Sequence, residues 1–253
     1  MASIEVPALA VPRTVLVTGG SGGIGRAVAA RLAEMGSRVA VGYNSRLAAA
    51  EEVVAGLRGE GHFAVRIAIE DASSIAQARI VLEERFGALD ALVNSGGATT
   101  PVPAGDLDAL TDEIFDRAVL LNLRGPFAVI RAMRPLLERS GNAAVVNVSS
   151  IAARTGIGSN LAYLAAKGGL DSLTIALAKV LAPQVRVFSV SPAGVDTDFV
   201  PNRTREQLER TAEKFPLRHV TVPDDVARAV VACIVNLTSS TGIVLPVDEG
   251  RHL

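Results

Sequence analysis

Tyr163 and Lys167 stand four residues apart, so at the start of a helix their side chains share one face, about one turn apart. A phenol and an ammonium so placed can meet over one substrate. Tyrosine titrates near pH 10, and acid/base work near neutrality means lowering that by about 2 to 3 units, roughly 3 to 4 kcal/mol. A lysine ammonium within about 4–6 Å shifts a neighbour by about 1 to 3 units. Thirteen residues before the tyrosine, Ser150 ends the strand-like run from Ala144, where an α/β sheet places ligand-facing groups. Its hydroxyl can hold a substrate oxygen. Singly, each residue has a plainer reading as a strand-end cap, a core aromatic or a solvated cation. Together they point to acid/base chemistry at an oxygen of a bound substrate.

A second chemical feature is the run Val15-Leu16-Val17-Thr18-Gly19-Gly20-Ser21-Gly22-Gly23-Ile24-Gly25. Glycines between a strand and a helix let the chain turn sharply, let a pyrophosphate approach and let helix and strand pack closely, while the helix N-terminus offers free N–H groups. Gly20, Gly22 and Gly25 fit GxGxxG, and Gly19, Gly23 and Gly25 fit TGxxxGxG. The next strand runs into Tyr43-Asn44-Ser45-Arg46 with no acid among them. An NAD-selective site places an Asp or Glu there, against the ribose 2′-hydroxyl. Asn44, Ser45 and Arg46 suit a 2′-phosphate instead, so NADP(H) is expected over NAD(H), moderately, because Gly22 carries no basic side chain.

These residues need a scaffold. Short apolar runs alternate with helical-period segments, the mark of a doubly wound parallel sheet with helices on both faces, a Rossmann-type α/β fold. The pattern predicts seven strands, at Thr14–Thr18, Arg38–Gly42, Ala64–Ile69, Ala91–Val93, Ala144–Val148, Val185–Val190 and Ile243–Val247. It predicts helices over Ile24–Met35, Leu47–Arg58, Ile75–Phe86, Leu107–Glu138, Tyr163–Leu181, Arg205–Lys214 and Pro223–Val235. Gly125-Pro126 makes the fourth of these two helices or one kinked helix. Residues 1–12 read as a loose extension, 13–253 as a single catalytic domain, and 198–222 as a mobile substrate flap.

Composition sets limits. The 253 residues are 49% hydrophobic with 4% aromatics and no Trp, which suits close helix–sheet packing and argues against an aromatic nucleic-acid platform. With 25 basic and 26 acidic residues, no global field attracts nucleic acid or an anionic membrane. The N-terminus lacks a basic start with an apolar core, and no stretch approaches the roughly 18 apolar residues of a spanning helix. A cytoplasmic protein is expected. Cys233, in an apolar run, reads as a buried hydrophobe. His62, His219 and His252 lack ligand spacing, so no metal is expected.

With these motifs in view, the chain resembles the short-chain dehydrogenase/reductase family from about Pro12 to its end, closest to 3-oxoacyl-carrier-protein reductases. Thr18–Gly25 is similar to the family's cofactor loop, Asn94-Ser95-Gly96-Gly97 to its NNAG motif, and Tyr163-Leu164-Ala165-Ala166-Lys167 to its YxxxK motif. The resemblance implies Ser150 as carbonyl-oxygen binder, Tyr163 as acid/base, and Lys167 as the residue that lowers the tyrosine pKa and binds the nicotinamide ribose. It implies Asn122 as holder of a proton-relay water. Gly19, Ser21, Gly23, Ile24, Gly25, Ile69, Asn94, Ser95 and Gly96 are implied around the dinucleotide. Pro192, Val195 and Thr197, in a segment resembling PG-x-V-x-T, are implied at the nicotinamide amide. A homotetramer with the helix after Tyr163 at a contact is implied too, and that helix is apolar around most of its circumference.

Departures from the pattern weaken the adenine end. Ala68 stands where the family has an aspartate, with Glu70 or Asp71 as substitutes if the register shifts. The lost hydrogen bond costs about 0.5–1.5 kcal/mol. Ala193 and Val247-Asp248-Glu249-Gly250 also depart, and neither removes a reacting group. The competing reading is a nucleotide-binding sensor or scaffold with little turnover. The substrate loops, 98–104, 151–161 and 198–215, are mostly apolar or neutral, with Arg154, Arg203 and Arg205, and leave the carbonyl compound unspecified.

Overall fold

The computed structural model describes residues 11–253, so residues 1–10, most of the expected extension, lie outside the described residues. Strand side chains point alternately to opposite faces, and the core is sorted accordingly. In β1 (Thr14–Thr18), Val15 and Val17 enter one buried cluster and Leu16 the other. The same alternation holds in β2 (Arg38–Tyr43), β4 (Ala91–Asn94), β5 (Ala143–Val148) and β6 (Val185–Pro192). With β3 (Phe63–Arg66) and β7 (Ile243–Val247) they form one parallel seven-stranded sheet, ordered β3-β2-β1-β4-β5-β6-β7.

Helices α1 (Gly23–Glu34), α2 (Leu47–Gly56) and α9 (Pro223–Val235) cover the face that carries Val15 and Val17, through Val28, Leu32, Val53 and Val230. Helices α3 (Ala72–Phe86), α5 (Gly125–Ser140) and α7 (Leu161–Leu181) cover the other through Leu82, Met133, Leu136 and Leu181. Both faces are thus sealed, as a parallel sheet requires. The strand order reverses beside β1, which opens a crevice at the carboxyl ends of β1 and β4, where such sheets bind ligands.

The segment expected as one long helix from Leu107 starts later, at α4 (Asp112–Val119), and Leu107 is 67% exposed. It passes through a π-helical turn, Leu120–Arg124, into α5. Pro126 is the second residue of α5 and, lacking an N–H, cannot continue the hydrogen-bond ladder just after the π-helical turn. A short α6 (Ala152–Thr155), absent from the sequence expectation, follows Ser150. Helix α8 (Arg205–Ala212) starts with a capping box between Thr204 and Gln207. Leu208, Ala212 and Val220, with Phe215 packed on them, form a third small cluster apart from the other two. Among the described residues no helix is long and apolar enough to cross a membrane.

Candidate active site

The start of α7 is fixed from below. Asn160 caps it, its Oδ1 accepting from Tyr163 N at 2.7 Å, while its Nδ2 donates to the Thr100 carbonyl at 2.7 Å. Tyr163 is thereby held in the first turn, 8% exposed. One turn on, Lys167 lies 5.7 Å from the centre of the Tyr163 ring and donates to the Val148 carbonyl at the end of β5, at 2.8 Å. Ser150 stands two residues beyond β5 and accepts from Ala152 N at 3.2 Å, so it caps α6 while its hydroxyl faces Tyr163. The three side chains line one cavity of about 150 Å³.

Burial dominates the electrostatics of the pair in the protein alone. Burial pushes the Tyr163 hydroxyl up to about 12, opposed by the Ser150 hydroxyl and by the charge of Arg203. Burial pulls Lys167 down to about 8, opposed by Asp171. Desolvation disfavours both charged forms and outweighs the neighbouring charges. In the protein alone the tyrosine is therefore a firmly protonated acid.

Asn122 sits on the π-helical turn, donating to the carbonyls of Ala98 (2.8 Å) and Ala118 (3.0 Å). Its Oδ1 is buried without a partner, and a Cβ on Gly97 would come within 2.6 Å of it. A buried acceptor without a protein partner is the kind of group that a bound water satisfies.

The crevice beside β1 holds a larger cavity of about 540 Å³, lined by Gly19, Ser21, Gly23, Asn44, Arg46 and Gly96 among others. Gly22, the N-cap of α1, offers no side-chain cap, which leaves the helix N-terminal N–H groups for an anion. Gly19 has φ +63°, and a Cβ there would stand 2.8 Å from Gly96 Cα. A pyrophosphate therefore fits this main-chain cradle. Ser45 lines the same cavity, and Arg46 reaches over Gly22, its Nη2 3.5 Å from where a Cβ would stand. Ile69 lines this cavity; Ile24, Pro192 and Val195 line the catalytic one; Thr197 borders both.

Three implied contacts lie off these walls. Gly25 is a packing residue, since a Cβ on it would stand 2.3 Å from the Gly19 carbonyl oxygen. The Asn94 amide turns inward, donating to Asn147 Oδ1 at 2.9 Å in a buried chain that continues to Thr174 and Ser189. Ser95 lies half-buried beside Gly19. Of the substitutes for the adenine aspartate, Asp71 is committed as the N-cap of α3, accepting from Ser73 N at 2.8 Å, whereas Glu70 faces the cavity and accepts from Asn44 Nδ2 at 3.1 Å. Sequence reasoning missed Arg117 on the dinucleotide cavity and Arg251 on the catalytic one. Both were unpaired basic residues in the sequence, with no local signal of direction.

Comparison with known proteins matches residues 19–252 to the family model described as enoyl-(acyl carrier protein) reductase. A protein of Streptomyces violaceoruber named as ketoacyl reductase 2 of the granaticin polyketide synthase is 40% identical over 243 residues, covering 94% of this chain and 95% of that one. A 3-oxoacyl-[acyl-carrier-protein] reductase of Staphylococcus aureus is 32% identical over 221 residues, covering 86% and 89%. Among solved structures, a short-chain dehydrogenase/reductase from Brucella melitensis, titled glucose/ribitol dehydrogenase, superposes with a TM-score of 0.89 at 27% identity, over 95% of this chain and 97% of that one.

Proposed function

The chain belongs to the short-chain dehydrogenase/reductase family, NAD(P)-dependent oxidoreductases acting on CH–OH/C=O groups, and from that premise we propose that it is a cytoplasmic reductase that uses NADP(H) to reduce a carbonyl in the manner of a 3-oxoacyl reductase. The observation that carries the reading is the geometry of one cavity in which the Ser150 hydroxyl, the Tyr163 phenol and Lys167, 5.7 Å from the Tyr163 ring, meet. Reduction consumes a proton at the carbonyl oxygen, and a buried neutral phenol is the group to deliver it. The named relatives, a ketoacyl and a 3-oxoacyl reductase, support the substrate class.

In this reading the Ser150 and Tyr163 hydroxyls both donate to the carbonyl oxygen, and Tyr163 passes its proton to it. The bound dinucleotide supplies the hydride. Lys167, with one N–H on Val148, keeps its others for the ribose and the phenol. Asn122 holds the water through which the proton is replaced. Arg46 gives the 2′-phosphate a charge-assisted bond worth about 1.5–3 kcal/mol. Glu70, in the same cavity, opposes it and keeps the preference moderate. Exposed Phe115, Ile175 and Val180 on α4 and α7 supply the apolar surface for the homotetramer.

A nicotinamide fluorescence titration followed by a panel of carbonyl compounds tests this function. Tighter binding of NADPH than of NADH, and NADPH consumption with a 3-oxoacyl thioester, are expected. Binding without reduction of any carbonyl would sink it.

A further inference from the structure

The cavity beside Tyr163 shares a wall with another of about 320 Å³ beneath α8, and Arg203 and Arg251 line both. Arg203 lies just before α8, and Arg251 follows β7 in the C-terminal turn. Arg203 donates from Nη2 to the Val195 carbonyl at 2.6 Å, while its Nε is buried with no partner. The Arg251 guanidinium rests over the Phe215 ring, 5.4 Å from its centre. Among the described residues neither guanidinium has a carboxylate within ion-pair distance.

Nearby acids are engaged elsewhere. Asp196 is held by Arg205 at 2.6 Å, Asp225 by His219 at 3.1 Å and Asp248 by His252 at 2.8 Å, and Glu249 accepts from Thr221 at 3.3 Å. Burial pulls Arg203 down from its ordinary value, the charges of Tyr163 and Asp196 oppose that without forming an ion pair, and Arg251 adds a smaller pull downward. Two guanidiniums that repel each other across one cavity, one of them half-buried without a counter-ion, are costly unless a ligand brings negative charge. Their planar forks match the oxygens of a carboxylate or a phosphate.

We propose that the carbonyl substrate carries an anionic group, a carboxylate or a phosphate, which Arg203 and Arg251 bind in the cavity adjoining Tyr163. This rests on the reductase reading and narrows its substrate to an oxo acid or oxo phosphate. Ile157, Val200 and Leu208 line the wall for the carbon chain between the two groups.

NADPH consumption with a medium-chain oxo acid, its methyl ester and an oxo phosphate of matched length tests the proposal. At least one anionic member is expected to exceed the ester in kcat/KM by about tenfold or more. Which member does so separates a carboxylate from a phosphate. R251Q is expected to bring that ratio to the ester close to one and R251K to restore part of it. R203Q should act in the same direction, but it also frees the Val195 carbonyl, so R251Q is the deciding variant. An ester reduced as well as both anions, or a ratio unchanged in R251Q, overturns the proposal while leaving the reductase reading intact. Absence of turnover on all three while the 3-oxoacyl thioester is reduced overturns the proposal alone, and absence of turnover on the thioester as well overturns both.

Discussion

The two ends of the cleft are built from different material. At the dinucleotide end the main chain is itself the binding surface. Gly19 and Gly96 approach so closely that a Cβ on Gly19 would stand 2.8 Å from Gly96 Cα, and one on Gly25 2.3 Å from the Gly19 carbonyl. At the substrate end, side chains from α7, from the segment before α8 and from the C-terminal turn converge on the cavity, with Arg203 and Arg251 over it. A surface made of backbone admits almost no other residue. One made of side chains can be re-lined without moving the chain, so the first end fixes the cofactor class and the second sets the substrate.

Four measurements bear on that contrast. Tyr163→Phe removes only the hydroxyl at the side-chain end. Turnover is expected to fall by about a hundredfold or more, with dinucleotide binding nearly intact. Near-normal turnover would remove Tyr163 from the chemistry.

Gly25→Ala attacks the main-chain end, where overpacking typically costs about 1–3 kcal/mol. Thermal unfolding should fall by roughly 2–12 °C, and NADPH affinity should fall with it. An alanine tolerated without either change would mean that backbone approach does not hold that end together.

Arg46→Ala removes a side chain from an otherwise main-chain site. The ratio of kcat/KM with NADPH to that with NADH is expected to drop by about tenfold or more, since a charge-assisted bond is worth about 1.5–3 kcal/mol. Equal or better use of NADH by the unmodified protein contradicts the cofactor preference.

Lys167 joins the two ends, and its pKa, pulled to about 8 by burial, sets the sign of the pH dependence. In the proposed mechanism its charged form, present below that value, is the one that binds the ribose and supports Tyr163. The kcat/KM for NADPH, which reports the free enzyme, should therefore be level below pH 7 and fall about tenfold between pH 7 and 9. A rise through that range would mean that the neutral amine is the working form.

The same contrast explains what was legible in the sequence. The glycine loop and the Tyr163–Lys167 pair are local patterns, and β1 falls where alternation puts it, at Thr14–Thr18. The strand expected over Ala64–Ile69 runs from Phe63 and ends at Arg66, because Ala68 N turns to Ser74 Oγ instead of a neighbouring strand. Leu107 is apolar yet exposed, so periodicity carried the helix too far back. Burial of Tyr163 depends on packing by distant segments, including Phe199, whose ring lies 5.9 Å away. For that reason the upward push of burial on the Tyr163 hydroxyl in the protein alone has no signature in the YxxxK spacing. Arg251 reaches the cavity only because the chain end folds beside the segment before α8, a contact between residues about 50 positions apart.

The third cluster, Leu208, Ala212 and Val220 under α8, is separate from the two cores that hold the sheet. Mutations there are paid for locally, so over evolutionary time the lip can vary at a faster rate than the scaffold beneath it. Duplicated genes of this kind can diverge in what they reduce by paired drift in residues 198–222 and in the C-terminal turn that packs on them, where Arg251 rests over Phe215. A laboratory graft from a relative should carry both stretches together as the unit for recombining specificities.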